Sequence, residues 1–369
     1  MNQLARDHFF MARAIQLAKF GIAKTKPNPT VGCVITKNNK LIAEGYHKKA
    51  GGPHAEIEAI NQVKNKSILQ GATIYITLEP CSFTGKTPPC LDAIISHQFS
   101  RVVIAMQDPN PKVNGTAIKT LKQKGIQVEL GLMQEQAQNL NLGFVSRMTR
   151  FRPFVISKVA TSIDGKIALQ NGKSKWISNI FSRQDVQYLR KSVCGILTSV
   201  QTINYDNPLL SYRLDDQHEQ PYRFVLDPHL NINPKAKILN QDKVVIFFDN
   251  KISKNNLKKF HQKKLIFIPY ACSKNQFNLK SLLKKITKDY EVNNLLIEAG
   301  AGLNGSLLKA KLIDELIVYQ CNTLLAGSAK EVFAAPLIKD MSKRINLTKV
   351  DQRYFADDMR LTFKTRYVD

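Results

Sequence analysis

Acidic side chains are scarce: 29 Asp and Glu stand against 54 Lys and Arg, for a formal net charge of +25. Such a balance invites a nucleic-acid or membrane-surface reading. The excess is scattered, however, as in Lys251, Lys254, Lys258, Lys259, Lys263 and Lys264 among Asn and Gln. That reads as solvated surface, and a phosphorylated small substrate also favours basic clefts, so no nucleic-acid partner is expected. Long apolar runs are missing too. None approaches the roughly 20 residues of a membrane-spanning helix, and residues 1–7 lack the basic and apolar regions of a signal peptide. Six Cys at 33, 81, 90, 194, 272 and 321 form no disulfide-scaffold pattern. A cytoplasmic protein without a membrane partner is expected. No internal repeat or low-complexity linker appears.

What is present suffices for buried cores: 43% of 369 residues are hydrophobic, and the length suggests two domains. Leu4 to Phe20 has helical periodicity, and Val31–Thr36 and Leu41–Tyr46 read as strands around an Asn38-Asn39-Lys40 turn. Strands at Ala72–Leu78, Arg101–Met106 and Ile126–Leu130 then alternate with helices, which implies a layered α/β domain. Near Arg147–Pro153 the pattern restarts, placing domains at 1–147 and 148–369. The second shows strands at Phe154–Ala160, Gly195–Thr198, Arg223–Asp227, Lys243–Phe248 and Lys264–Ile268. Helices are expected at Phe181–Lys191 and Leu279–Tyr290, and a long polar loop at Gln201–Arg213.

The chemistry-bearing stretch is Pro53-His54-Ala55-Glu56 with Glu79-Pro80-Cys81 and Pro88-Pro89-Cys90. Catalytic zinc keeps three protein ligands and an open corner for water. One imidazole and two thiols supply three, and a Glu two residues after the His stays off the metal and moves protons. The apolar spacing of Ile57, Ala59, Ile60 and Val63 puts His54 and Glu56 in a first helical turn, on different faces. Pro88-Pro89 opens a second helix, whose N-terminal N–H groups would favour a thiolate at Cys90 and at Cys81. A helix-start His is more often a cap, and two buried Cys are usually inert. A structural zinc site would want a fourth protein ligand, and none stands nearby. The eight residues between the thiols depart from the Cys-x-x-Cys of common nucleobase deaminases.

Further on, Leu295–Ala299 runs into Gly300-Ala301-Gly302-Leu303-Asn304-Gly305, a G-x-G-x-x-G between a strand and a helix expected at Ser306–Lys311. Its backbone N–H groups could meet a pyrophosphate at the helix start; a tight structural turn is the other reading. No acidic residue follows at the next strand's end, which disfavours a Rossmann fold but leaves a nicotinamide-phosphate site open.

Together these residues resemble the bifunctional riboflavin-biosynthesis deaminase/reductase family across essentially the whole chain. The matches are Lys26–Gly32, Glu44–His47, His54–Glu56, Pro80-Cys81 through Cys90, and Asp108–Pro111. In the second half they are Lys158, Ser162–Gly165, Ser174–Ile177, Arg190, Thr198–Pro208 and Glu298–Ser306. The wide Cys spacing is the family's own, whereas Phe83 stands where the family often has His, removing a polar contact. The resemblance implies an N-terminal cytidine-deaminase-like α/β/α domain and a C-terminal dihydrofolate-reductase-like α/β domain. The first would deaminate a diaminohydroxy-pyrimidine carrying phosphoribosylamine, with zinc on His54, Cys81 and Cys90 and with Glu56 as proton carrier. Asn28, His47, Lys86, Asp108 and Asn110 match its substrate positions.

The second would reduce the resulting phosphoribosylamino-uracil to its ribityl form with NADPH. Ala160, Trp176, Thr202, Asp206, Gly300, Ala301, Gly302, Leu303, Asn304, Gly305 and Ser306 match cofactor positions. Ser174, Arg190, Leu210, Arg213 and Glu298 match substrate positions, and Lys158 is given a polar role there. The arginines suit a ribose phosphate. A homo-oligomer, dimer or tetramer, is expected. A nucleic-acid-editing deaminase is the rival, but it would not need some 220 further residues with a nicotinamide-type site.

Overall fold

The computed structural model describes residues 2–83, 88–215, 218–260, 264–335 and 338–367. The chain divides into two compact units that part between Phe151 and Arg152.

In the first unit, α1 (Gln3–Lys19) starts at Asn2, whose side-chain oxygen accepts from the Ala5 N–H at 2.9 Å. β1 (Gly32–Lys37) and β2 (Lys40–Tyr46) form a hairpin through Asn38 and Asn39, both at positive φ. There follow α2 (Ala55–Gln62), β3 (Thr73–Ile76), α3 (Cys90–Ser96), β4 (Arg101–Ile104), α4 (Thr116–Gln123) and β5 (Gln127–Leu130). Helices α5 (Gln134–Leu140) and α6 (Leu142–Arg150) close the unit, so α6 runs past the boundary expected at 147.

The sheet order is β2-β1-β3-β4-β5, antiparallel up to β3 and parallel beyond. The inner strands β1, β3 and β4 are almost wholly buried, which is why they read as unbroken apolar runs. Asp7 of α1 accepts from the two terminal Arg101 nitrogens, Nη1 and Nη2, at 2.8 and 2.7 Å and from the Tyr75 hydroxyl at 2.6 Å. That buried pair is affordable because each group is hydrogen-bonded. A Cβ at Gly45 would lie 2.6 Å from Ala55 O and from Ala59 N. Its absence lets α2 lie directly on β2 and fixes the start of that helix.

The second unit opens with β6 (Phe154–Ser162) and β7 (Lys166–Ala168), then α7 (Ile180–Ser192), β8 (Gly195–Ser199), α8 (Val200–Asp206) and β9 (Tyr222–Leu226). Next come β10 (Val244–Asp249), β11 (Leu265–Tyr270), the short β12 (Cys272–Ser273) and β13 (Gln276–Phe277), α9 (Leu279–Tyr290) and β14 (Asn294–Ile297). The unit ends with α10 (Ala301–Lys309), β15 (Glu315–Cys321), the short β16 (Lys330–Glu331), β17 (Asn346–Phe355) and β18 (Asp358–Arg366). A nine-stranded sheet runs β11-β10-β9-β8-β14-β6-β15-β18-β17, parallel as far as β15 and antiparallel in the last two pairs. Apolar clusters cover both faces, one under α9 and α10 and one beneath α8 and the Leu230–Leu239 segment.

Two expectations are corrected here. The stretch 201–213 is not all loop, because buried Val200 and Ile203 anchor α8 through Asp206. The helix expected at Ser306–Lys311 begins at Ala301 and ends at Lys309, so Gly302 and Gly305 lie inside it. Glycine weakens a helix, but a Cβ at Gly305 would fall 2.2 Å from Ala334 O, so packing dictates that residue. Among the described residues no helix is long and apolar enough to cross a membrane.

Candidate active sites

His54 is the N-cap of α2, with extended backbone, and Glu56 lies in the helix's first turn. Cys81 follows the β3 strand end, and Cys90 is the first residue of α3, behind Pro89 at its N-cap. These elements bring His54 Nδ1 to 3.5 Å from Cys81 Sγ and 3.3 Å from Cys90 Sγ. All three ligand atoms lie within 4.8 Å of one another. Two vertices of a tetrahedral zinc site, one nitrogen and one sulfur, are separated by about 3.6 Å at ordinary bond lengths. The donor set and its spacing therefore fit zinc with one corner left over.

The electrostatics fit as well. The Cys90 backbone N–H donates to Cys81 Sγ at 3.2 Å, so the free amide at the start of α3 serves Cys81 rather than Cys90. Hydrogen bonding from Cys90, then from His54, holds the Cys81 thiol well below its ordinary range against burial, while the Cys81 sulfur pushes Cys90 up. One thiolate is thus favoured without a cation, and a divalent ion is what lets both ionise. Glu56 is only 3% exposed. Burial, then the charge on Cys81, lifts its carboxyl to about 7.

Around this centre, buried His47 places Nδ1 2.9 Å from Pro53 O and Nε2 3.3 Å from Asn28 Nδ2. Nδ1–H therefore donates to the carbonyl, and Nε2 accepts from the amide. The His47 and His54 rings meet edge to face at 5.3 Å. Burial lowers the His47 pKa, which favours the neutral ring. Asp108 is buried, its carboxyl raised to about 6 mainly by that burial, and it accepts from the Asn110 N–H at 2.8 Å. Lys86 lies outside the described residues.

In the second unit a cavity of about 1510 Å³ opens at the carboxyl ends of β6, β8 and β14, where open α/β sheets hold ligands. Its wall includes Lys158, Ala160, Ser174, Trp176, Arg190, Thr202, Asp206, Leu210, Arg213 and Glu298. Gly300, Ala301, Gly302, Leu303 and Ser306 line it along the first turns of α10. Asn304 and Gly305 do not. Asn304 is fully buried, accepts from Ser157 at 2.9 Å and donates to Ala299 O at 2.8 Å, bracing the loop from behind. Gly300 and Gly302 have nothing within 4 Å of a notional Cβ, and the Gly300 N–H donates to Thr202 Oγ1 at 3.2 Å.

Glu298 accepts from Arg190 Nε at 2.7 Å and Nη2 at 3.0 Å, and pairs with Lys158 Nζ at 3.1 Å. The Arg190 fork is thus committed to a carboxylate rather than left for a phosphate. Arg213 donates to Ser211 O, and among the described residues no carboxylate pairs with it. Ser174 donates to Asp206 at 3.0 Å. Sequence reasoning passed over Arg183, which stacks on the Trp176 ring at 4.6 Å, and Tyr319, whose hydroxyl donates to Asp185 at 2.5 Å. Both line the cavity. The alternation along β15 was the available signal for Tyr319.

Residues 4–106 match the model of the cytidine and deoxycytidylate deaminase zinc-binding region, and residues 153–360 match the RibD C-terminal domain. The riboflavin biosynthesis protein RibD of Buchnera aphidicola is 42% identical over 342 residues, covering 89% of this chain and 90% of the relative. That of Escherichia coli is 38% identical over 368 residues, covering 96% and 98%. Acinetobacter baumannii RibD superposes with a TM-score of 0.89 at 38% identity, over 99% of this chain and all of the other. A Thermotoga maritima diaminohydroxyphosphoribosylaminopyrimidine deaminase/5-amino-6-(5-phosphoribosylamino)uracil reductase gives 0.87 at 31%, covering 98% and 99%. With likeness of this extent along both units, the chain belongs to the RibD family of riboflavin biosynthesis proteins.

Proposed function

We propose that this bifunctional riboflavin-biosynthesis deaminase/reductase acts on diaminohydroxyphosphoribosylaminopyrimidine with its first unit. Its second unit then reduces the ribosyl group of amino-phosphoribosylamino-uracil to ribityl, using NADPH. The observation that carries the reading is the convergence of His54, Cys81 and Cys90 beside a buried carboxyl.

Zinc held by those three side chains would supply an acidified, nucleophilic water near neutral pH. Glu56 takes the proton of the attacking water, delivers it to the ring nitrogen, and helps protonate the departing ammonia. The 3% exposure of Glu56 keeps bulk water from competing for that proton. Asn28, with its amide turned to His47, keeps its carbonyl oxygen for the pyrimidine edge. Asp108, Asn110 and Lys86 complete the substrate contacts in this reading.

NADPH would supply the hydride for the second reaction. The N–H groups of Ala301 and Gly302 at the start of α10 suit its pyrophosphate, while the Gly300 N–H is held by Thr202. Ala160, Trp176, Thr202, Asp206, Leu303 and Ser306 line its place, with Asn304 and Gly305 as support. Arg213 takes the ribose phosphate, because Arg190 is occupied by Glu298. Lys158, Ser174 and Leu210 border the sugar, and the Lys158–Glu298–Arg190 group fixes its polar end. A dimer or tetramer of the chain is the expected assembly, which sedimentation checks.

The test is to incubate the zinc-loaded protein with the diamino substrate, with and without NADPH. Ammonia is expected in both arms, and NADPH oxidation only after deamination. Oxidation without ammonia, or neither, overturns the reading.

A further inference from the structure

Glu79 lies two residues before Cys81, and the chemistry above gives it no part. It is 2% exposed, and its own N–H donates to Met106 O at 2.9 Å, tying the end of β3 to the segment after β4. Its carboxylate accepts four backbone N–H groups. Oε2 takes Asp108 at 3.2 Å and Gly115 at 2.9 Å; Oε1 takes Ala117 at 3.1 Å and Ile118 at 3.4 Å.

The last two belong to the first turn of α4, whose N-cap, Gly115, has no side chain to satisfy them. Glu79 therefore caps that helix from 38 and 39 positions away in the chain. A cap alone would stop there. The other two N–H groups sit at the two ends of the 108–115 loop, so one carboxylate closes the loop at its neck. Within the loop Asp108 accepts from Asn110, Asn110 accepts from Lys112 at 3.1 Å, and Asn114 accepts from Gln107 at 2.8 Å. That internal network sets the loop's shape, and among the described residues the Glu79 carboxylate is the side chain that anchors it to the strand end that leads to Cys81.

We infer that Glu79 is a positioning residue for the deaminase, clamping the Asp108–Asn110 loop in register with the segment that presents Cys81. The inference rests on the deaminase reading above and adds a group that touches neither metal nor substrate. An amide in its place keeps size but offers one acceptor oxygen to four donors, and its NH₂ faces two of them.

The experiment compares wild type, Glu79→Gln and Asp108→Asn in the full, zinc-loaded chain. Zinc content, kcat and KM for the diamino substrate are measured, together with hydrogen exchange over residues 107–118. Glu79→Gln is expected to keep one zinc per chain and kcat within about threefold, while KM rises about 10- to 100-fold, the scale of one lost charge-assisted hydrogen bond. Exchange should accelerate in 107–118 and not in 1–70. A wild-type KM in Glu79→Gln, with Asp108→Asn still impaired, overturns the clamp and leaves the deaminase reading standing. A KM change that comes only with zinc loss also overturns it, since Glu79 would then act through Cys81. If neither variant affects turnover, the substrate reading itself fails. Should Glu79→Gln not accumulate as folded protein, Glu79→Asp, one methylene shorter, must show the same KM-selective loss or the clamp is wrong.

Discussion

Replacing Glu298 by Gln should destabilise the second unit in a way that depends on pH. Burial opposes ionisation of this carboxyl, but Arg190 and Lys158 outweigh burial and hold it at about 2, against an ordinary 4.5. At about 1.4 kcal/mol per unit, that gap contributes about 3 kcal/mol at neutral pH. The unfolded chain binds the proton more readily, so the contribution is fully present above the unfolded value and is lost as pH falls towards about 2. The amide cannot balance two largely covered cations, and removing one partner of such a group costs about 3–5 kcal/mol. For a unit of this size, calorimetry should show the transition of residues 152–369 falling by roughly 6–20 °C at pH 7. At pH 4 wild type has already lost about 1 kcal/mol of this stabilisation, so the difference between the proteins narrows. An unchanged midpoint at pH 7, or a variant with the wild-type acid response, would refute the reasoning.

Three further outcomes are expected. Glu56→Gln should keep its zinc by elemental analysis yet lose roughly 100- to 10,000-fold in deamination rate, the usual worth of a positioned proton carrier. In Gly302→Asp, where the fold leaves room for a Cβ, the wild-type rise in melting temperature with NADPH should vanish. Gly305→Ala, whose methyl would press on Ala334 O, should destabilise the second unit by about 1–3 kcal/mol of overpacking and so lower its melting temperature even without cofactor. An unaltered melting curve there would mean that the 334 segment yields without cost.

The two sites differ in how openly the sequence announces them. Zinc ligation demands particular atoms, and His54, Cys81 and Cys90 stand beside prolines and helix starts that a reader can place. The glycine-rich stretch was only half readable. Gly300 and Gly302 face open space while Gly305 serves packing against Ala334, and no spacing rule separates these needs. Helix α8 hid behind a polar run because only Val200 and Ile203 are buried in it. β17, exposed over most of its length, carries little apolar alternation, so register with β18 had to come from pairing. The clamp at Glu79 was invisible in principle, since its partners are backbone N–H groups that every sequence supplies.

One feature of the cavity wall has a practical use. Trp176 is the chain's single tryptophan, it is 70% exposed, and it sits at the rim beside Arg183. Excited at wavelengths that spare tyrosine, it makes the second unit its own optical probe, and the first contributes no indole signal. Arrival of a dihydronicotinamide ring there should quench the emission by energy transfer, so cofactor capture can be followed in real time without a label.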